Sequence, residues 1–317
     1  MNEHFVRRTS CPACDSPVFE EVFRTSYTAA PIRDYLASFY SAQGGVEFDL
    51  LEGADYALAE CHACGLIFQR EIPGPGLSLK LYEEWIDPEK SFEIYEAPRR
   101  LSYFLTLTDE IANLLQHFDR APGDLRVLDV GMGWGFWCRA AIGLGCEAYG
   151  VDISPSRVEN AARRGVRVLS WEAIPDGQFD LINADQVFEH LPRPLETLRQ
   201  LRRALKPGGL LKISVPDGRS VKRNLEYGDW LATAESPRSL NPVAPLEHIN
   251  CFTRHVLIAM AAAAGLRPTF VPERITVRGP AESGLSRLKA AAKLLLGRAG
   301  APFNREGTRV VFVRAES

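Results

Sequence analysis

Arg126-Val127-Leu128-Asp129-Val130-Gly131-Met132-Gly133-Trp134-Gly135-Phe136-Trp137 runs from an aliphatic stretch into alternating glycines. Val127, Leu128 and Val130 suit a strand buried on both faces of a parallel sheet. Asp129 stands near the end of that strand, and Gly131, Gly133 and Gly135 follow at every second position. Glycine allows a tight turn and lets the backbone approach a ligand that a Cβ would hold away. Trp134 to Leu144 has helical character, so its free N–H groups would point back at whatever the glycines cradle. A dinucleotide fingerprint needs its third glycine where Phe136 stands, and a phosphate-binding P-loop needs a lysine that is missing.

Outward from this loop, Cys146 to Asp152 reads as a second short strand that ends in an acid about 20 residues past the glycines. Asp152 there can accept two hydrogen bonds from ribose hydroxyls, with Ile153 beside it. Ser154 and Pro155 supply an N-cap and a first-turn proline for the next helix. Val166 to Ser170 reads as the third strand, followed by Trp171-Glu172-Ala173. Phe179 to Asp185 is the fourth strand, whose carboxyl end faces a cleft in open α/β sheets. Pro194 to Leu205 is an amphipathic helix that stops at Lys206-Pro207-Gly208-Gly209, and Leu210 to Val215 is the fifth strand.

The acid-x-Gly-x-Gly-x-Gly loop, Asp152, Phe179-Asp180 and Leu205-Lys206-Pro207-Gly208-Gly209, in this order, resemble class I S-adenosylmethionine-dependent methyltransferases over about residues 95–275. The resemblance implies an α/β fold, a Rossmann-like seven-stranded sheet with helices on both faces. It implies that Asp129, Gly131, Gly133, Gly135, Asp152 and Ile153 hold S-adenosylmethionine. Glu172 would meet the adenine amine, with Trp171 or Ala173 on the ring. Ala184, Asp185 and Gln186 would lie near the transferring methyl. His190 is either a base or part of the architecture, since Glu189-His190 reads as the start of a helix.

Cys11-Pro12-Ala13-Cys14 and Cys61-His62-Ala63-Cys64 are two Cys-x-x-Cys turns about 50 residues apart. In a reducing compartment such pairs are metal ligands more often than disulfides. Cys11, Cys14, Cys61 and Cys64 complete a closed tetrahedral site with no open position, which suits structural Zn2+ in a zinc-ribbon-like module, with His62 surplus. Cys138, Cys146 and Cys251 read as small core residues. Phe48 to Leu58 is expected to be strand, as is Leu66 to Phe68, and Tyr35-Leu36…Phe39-Tyr40 a helix face. A helix is expected from about Pro98 to Phe118, and Tyr82 and Trp85 are expected either in a lid over the cleft or as packing residues. The organisation is a zinc-binding module at 1–80, a linker and helix at 81–125, and a methyltransferase domain at 126–317 with a substrate-side insertion at about 219–247.

A four-cysteine module on this core, with Cys61-x-x-Cys64-Gly65, Leu81-Tyr82 and Glu247-His248-x-x-x-Phe252, resembles the C-methyltransferases of deoxysugar biosynthesis. In that family the Glu-His pair lies in the substrate pocket. The resemblance implies that His248 removes a proton, that Glu247 orients it, and that the acceptor is a nucleotide-linked sugar or glycan precursor. Those enzymes carry a further C-terminal domain, so both C- and O-methylation stay open. A zinc ribbon on this core also resembles rRNA guanine methyltransferases, an rRNA or tRNA base-modifying alternative. That reading wants a basic module, yet residues 1–80 hold 6 Lys and Arg against 11 Asp and Glu. A net charge of −3 likewise disfavours nucleic acid as a partner. A third reading is a non-catalytic cofactor-binding partner protein, although nothing in Asp129 to Gly135 looks degraded.

A composition of 46% hydrophobic and 24% charged residues is that of a globular protein. No apolar run approaches the roughly 20 residues of a membrane helix, and the first residues lack a signal-peptide apolar region, so the expected location is cytoplasmic. Residues 285–298 read as a basic, partly amphipathic helix that packs on its own domain or touches a membrane surface.

Overall fold

The computed structural model describes residues 2–272 and 308–315. The N-terminal part contributes β1 (Phe5–Arg7), β2 (Phe19–Ser26), β3 (Asp55–Cys61), β4 (Ile67–Gln69) and β5 (Glu71–Pro73). β1 pairs antiparallel with β5, and β2, β3 and β4 form an antiparallel sheet. The remaining strands are β6 (Arg126–Val130), β7 (Glu147–Val151), β8 (Arg167–Val168), β9 (Phe179–Asp185), β10 (Leu205–Val215), β11 (Asn250–Cys251), β12 (Leu266–Thr269) and β13 (Thr308–Arg314).

Seven of these form one sheet in the order β12-β13-β10-β9-β6-β7-β8. β6 to β10 run parallel, and only β13 runs antiparallel to its neighbours β10 and β12. The chain steps from β6 outward to β8, then returns to place β9 on the other side of β6. That reversal opens a crevice above the carboxyl ends of β6 and β9, where open α/β sheets bind ligands. Central burial explains the sequence pattern: β6 reads as an aliphatic run because Val127, Leu128 and Val130 are all buried. This is the Rossmann-like, seven-stranded fold expected from the motifs.

Two ion-pair clusters, one around Asp180 and one around Lys212, pin the sheet. Asp180 accepts from Lys206 Nζ at 2.8 Å and from the Arg126 backbone N–H at 2.9 Å, and also pairs with Arg120. Buried Lys212 on β10 meets Glu110 at 2.8 Å and Asp185 at 3.0 Å.

β11 does not join the large sheet. It pairs antiparallel with β4, so the segment just after Glu247-His248 is stitched into the sheet that follows the cysteine turns. Cys11, Ala13, Cys61 and Leu66 accordingly share one hydrophobic core with Leu128, Phe188 and Phe252. Cys138, Cys146 and Cys251 are buried, as expected of small core residues.

Local expectations needed correction at several points. Phe48–Leu51 is a 3-10 turn and the strand begins only at Asp55, because Gly53 adopts a left-handed φ of +74° that breaks extended backbone. The helix after the glycines starts at Phe136, since Gly135 itself is left-handed. The long helix spans Leu101–Leu115. Phe188–His190 is a single 3-10 turn, with Pro192 and Pro194 downstream preventing the helix expected at Glu189. No helix among the described residues is long and apolar enough to cross a membrane. Residues 285–298 lie outside the described residues.

The loop after helix Ile32–Tyr40 presses Gly44 against the segment Leu81–Trp85, with the Gly44 N–H donating to the Trp85 carbonyl at 2.9 Å. A Cβ on Gly44 would stand 1.6 Å from the Glu84 carbonyl oxygen, a backbone atom that cannot swing aside. Gly44→Ala is therefore expected to cost about 1–3 kcal/mol in urea unfolding. An unchanged midpoint would show that the 81–85 segment yields freely.

Candidate active site

Two groups of candidate residues follow the strand ends, one around the glycine loop and one around His190. In the first group, β6 delivers buried Asp129 and then Gly131, Gly133 and Gly135 with φ of +65°, +52° and +72°. These left-handed values are open to glycine and strained for other residues. At Gly131 a Cβ would also meet Val187 Cγ2 at 2.5 Å. The Gly133 N–H donates to Asp152 Oδ2 at 2.8 Å, and the Ser154 N–H donates to Oδ1 at 2.9 Å. Each carboxylate oxygen keeps a second lone pair for a hydroxyl donor. Asp152 and Ile153 line a depression of about 370 Å³ together with Pro155, Val158, Val168, Leu169 and Ser170. Trp171, half-buried, and Glu172, exposed, follow just beyond it.

Asp129 does not face open solvent. Asn183 donates to its Oδ1 at 2.7 Å, and burial outweighs that hydrogen bond, pushing its pKa up to about 7. Ala184 is fully buried, Asp185 is tied to Lys212, and Gln186 takes a left-handed φ of +54° at the crevice lip. Trp134 of the glycine loop packs edge-on against Phe92 at 4.9 Å, so the chain before helix Leu101–Leu115 covers this group.

In the second group, two histidines meet. Their ring centroids lie 4.8 Å apart at 71°. His190 Nδ1 lies 2.9 Å from the Glu247 carbonyl and 3.1 Å from the Tyr82 hydroxyl, while His248 Nδ1 bonds the Asn241 carbonyl. A carbonyl only accepts, so each Nδ1 carries the proton and each Nε2 keeps its lone pair. Burial lowers the pKa of His190 to about 3, with His248 adding to the effect, and burial lowers that of His248 to about 4. Both rings are therefore neutral at physiological pH, with an unprotonated Nε2.

Glu247 does not orient His248 as the Glu-His resemblance implies. Its carboxylate accepts from Tyr40 at 2.7 Å, its backbone carbonyl holds His190, and Asn241 holds His248. Burial pushes the Glu247 pKa up to about 6, opposed by the Tyr40 hydrogen bond. Glu189 is buried, neither carboxylate oxygen finds a hydrogen-bond partner, and burial holds its pKa well above the usual range. Glu189, His190 and His248 bring ligand-type atoms within 4.8 Å of one another, close enough to share a proton or an ion.

The cysteine turns form a separate cluster. Cys11 Sγ lies 3.6 Å from Cys64 Sγ, and Cys14 Sγ lies 3.5 Å from Cys61 Sγ, with no disulfide. A tetrahedral ion with Zn–S bonds of about 2.3 Å requires thiolates roughly 3.8 Å apart, so the four residues fit such an ion. His62 points elsewhere, 3.7 Å from Glu20.

A family described as a methyltransferase domain matches residues 98–269, more than half of the chain. The chain belongs to the S-adenosylmethionine-dependent methyltransferases.

Among the relatives of this methyltransferase, the ubiquinone biosynthesis O-methyltransferase of Bordetella avium (strain 197N) is 30% identical over 203 residues, covering 60% of this chain and 78% of that one. The enzyme of the same name from Xanthomonas campestris pv. campestris (strain B100) is 36% identical over 104 residues. That match covers 29% of this chain, which thus spans less than half of that relative's length, 43%. A solved S-adenosylmethionine-dependent methyltransferase from Mesorhizobium loti aligns at 18% identity and a TM-score of 0.44, over 66% of this chain and all of that one.

Sequence reasoning passed over Tyr40, Glu189 and Asn183. Tyr40 sits on a helix face legible from its aromatic spacing, but the partner of its hydroxyl lies about 200 residues away and leaves no local signal. Tyr40→Phe removes the donor that favours ionised Glu247, so the Glu247 pKa should rise above about 6. Carbon-13 NMR titration of labelled glutamate reads this directly; an unmoved or lowered value would contradict the assigned hydrogen bond.

Proposed function

We propose that this methyltransferase methylates a small-molecule acceptor, a nucleotide-linked sugar or glycan precursor, and that His248 is the base. The observation that carries this reading is the Asn241 carbonyl on His248 Nδ1, which leaves a neutral ring with Nε2 free to accept a proton. When bound, S-adenosylmethionine supplies a methyl group already activated by its sulfonium. The chain's own task is then to align the acceptor and remove one proton from it, and alignment contributes up to roughly 7–11 kcal/mol. Asp152, with Ile153, would take the ribose hydroxyls, and Asp129 with the three glycines would border the amino-acid part. Glu172 and Trp171 would border the adenine, and Ala184, Asp185 and Gln186 the transferring methyl. His190, braced by Glu247 and Tyr82, would flank the acceptor.

A second reading has one observation in its favour. The Bordetella avium relative is by name an O-methyltransferase of ubiquinone biosynthesis, which supports a hydroxyl acceptor over a carbon acid. Methyl-transfer assays against nucleotide-linked keto-sugars and against phenols separate the two. An RNA acceptor draws no support from the acidic N-terminal residues.

We further propose that Cys11, Cys14, Cys61 and Cys64 hold a structural Zn2+, whose binding energy would tie the two turns together. One zinc per chain is expected by elemental analysis, and chelation should melt the N-terminal strands by circular dichroism. A chain that purifies without zinc and ignores the chelator would end this proposal.

His248→Ala is expected to keep its affinity for S-adenosylmethionine and lose about 10²–10⁴-fold in turnover. Calorimetry measures the first and production of S-adenosylhomocysteine the second. Full turnover in that variant would remove His248 from the mechanism.

A further inference from the structure

Arg8 is a buried cation that the proposed reaction leaves without a task. It is 8% exposed, and no carboxylate pairs with it among the described residues. A charge in that setting, with the Cys11 sulfur beside it as an electrostatic partner, is costly unless its hydrogen bonds are nearly all made. Its guanidinium makes them to backbone and amide oxygens. Nη1 donates to the Ile249 carbonyl at 2.9 Å and to Asn250 Oδ1 at 2.9 Å, with a longer contact to the Gln69 carbonyl at 3.4 Å. Nη2 donates to the Pro192 carbonyl at 3.0 Å and the Leu191 carbonyl at 3.3 Å.

Apart from Gln69 on β4, these acceptors belong to two separate segments. Leu191 and Pro192 directly follow His190, and Ile249 and Asn250 directly follow His248. Nothing covalent near the site aligns them, yet the two rings stand 4.8 Å apart. Asn250 adds a second brace in the same place, its Nδ2 donating to the Phe188 carbonyl at 2.9 Å and the Leu191 carbonyl at 2.8 Å. Arg8 is itself anchored, its N–H donating to the Arg70 carbonyl at 2.8 Å and its carbonyl accepting from Arg70 Nε at 3.1 Å.

We propose that Arg8 is a positioning residue that ties the His190 segment to the His248 segment and so sets how the two rings face the acceptor. The inference rests on the reading that these histidines serve methyl transfer. A planar guanidinium suits the task because its fork addresses several oxygens at once, whereas a lysine ammonium is a single point on a flexible stem. The tie also gives the N-terminal strands a part in the site without touching substrate. Arg8 lies three residues before Cys11, so whatever orders the cysteine turns also orders the brace.

The test reads ring alignment directly. In histidine-labelled protein, long-range nitrogen-proton NMR should show His190 and His248 each locked with the proton on Nδ1. In Arg8→Ala both rings should lose the single tautomer, while calorimetry gives an unchanged affinity for S-adenosylmethionine. Arg8→Lys keeps the charge and most of the bulk, so it serves if the alanine variant fails to fold; it too should unlock the rings. Locked tautomers in Arg8→Lys, and in Arg8→Ala where it folds, would overturn the proposal. A turnover assay on nucleotide-sugar probes should fall on the order of 10²-fold in the Arg8 variants if alignment matters to the chemistry. If instead His248→Ala turns over normally while the Arg8 variants still unlock the rings, the base assignment fails and the alignment stands.

Discussion

The left-handed turn at Gly131, Gly133 and Gly135 is the constraint on which the candidate cofactor residues depend. A central parallel strand must turn sharply into its helix while leaving room above the sheet. Side chains would forbid this twice over, through backbone strain at positive φ and through the Val187 side chain against Gly131. With the turn in place, the Gly133 N–H fixes the Asp152 carboxylate from the neighbouring strand. Two strand ends thus become one surface. The depression beyond Asp152 is lined by the turn after β7, the first turns of the next helix and the end of β8 with the residues after it, so the sheet order itself brings its walls together.

The histidine cluster obeys a different logic. No single element builds it. His190 comes from the turn after β9, His248 from the approach to β11, Tyr40 from the N-terminal helix and Tyr82 from the segment beyond β5. What joins them is hydrogen bonding in a buried space, the histidines to backbone carbonyls and the tyrosines to Glu247 and His190 side chains, where an unmade bond is expensive and a made one is specific. Burial also sets the chemistry: it holds both imidazoles neutral and pulls the Glu247 and Glu189 carboxyls upward, toward their own neutral forms. A cluster that could have carried several charges is thereby held close to neutral, with unprotonated Nε2 atoms on both rings. The pairing of β11 with β4 makes the cysteine-bearing part continuous with this cluster, with Arg8 bridging across it.

Much of this was legible in the residues. The alternating glycines after an aliphatic strand, the acid at Asp152, the Ser154 cap and the Lys206 to Gly209 stop are local signals, each produced by a conformational or hydrogen-bonding rule acting over a few positions. They determine the parallel sheet, its crevice and the cofactor class, and the two Cys-x-x-Cys turns determine a four-thiol cluster. Boundaries slipped where a single residue overrode the pattern, as when Gly53 delayed β3 and the downstream prolines held Phe188–His190 to one turn. Tertiary structure alone decided who orients the histidines. Asn241 and not Glu247 holds His248, Tyr40 reaches Glu247 across about 200 residues, and Arg8 gathers both histidine segments. Those contacts join residues with no spacing relation, and a buried donor takes whichever acceptor the packed chain brings within reach; no periodicity in the sequence encodes that choice.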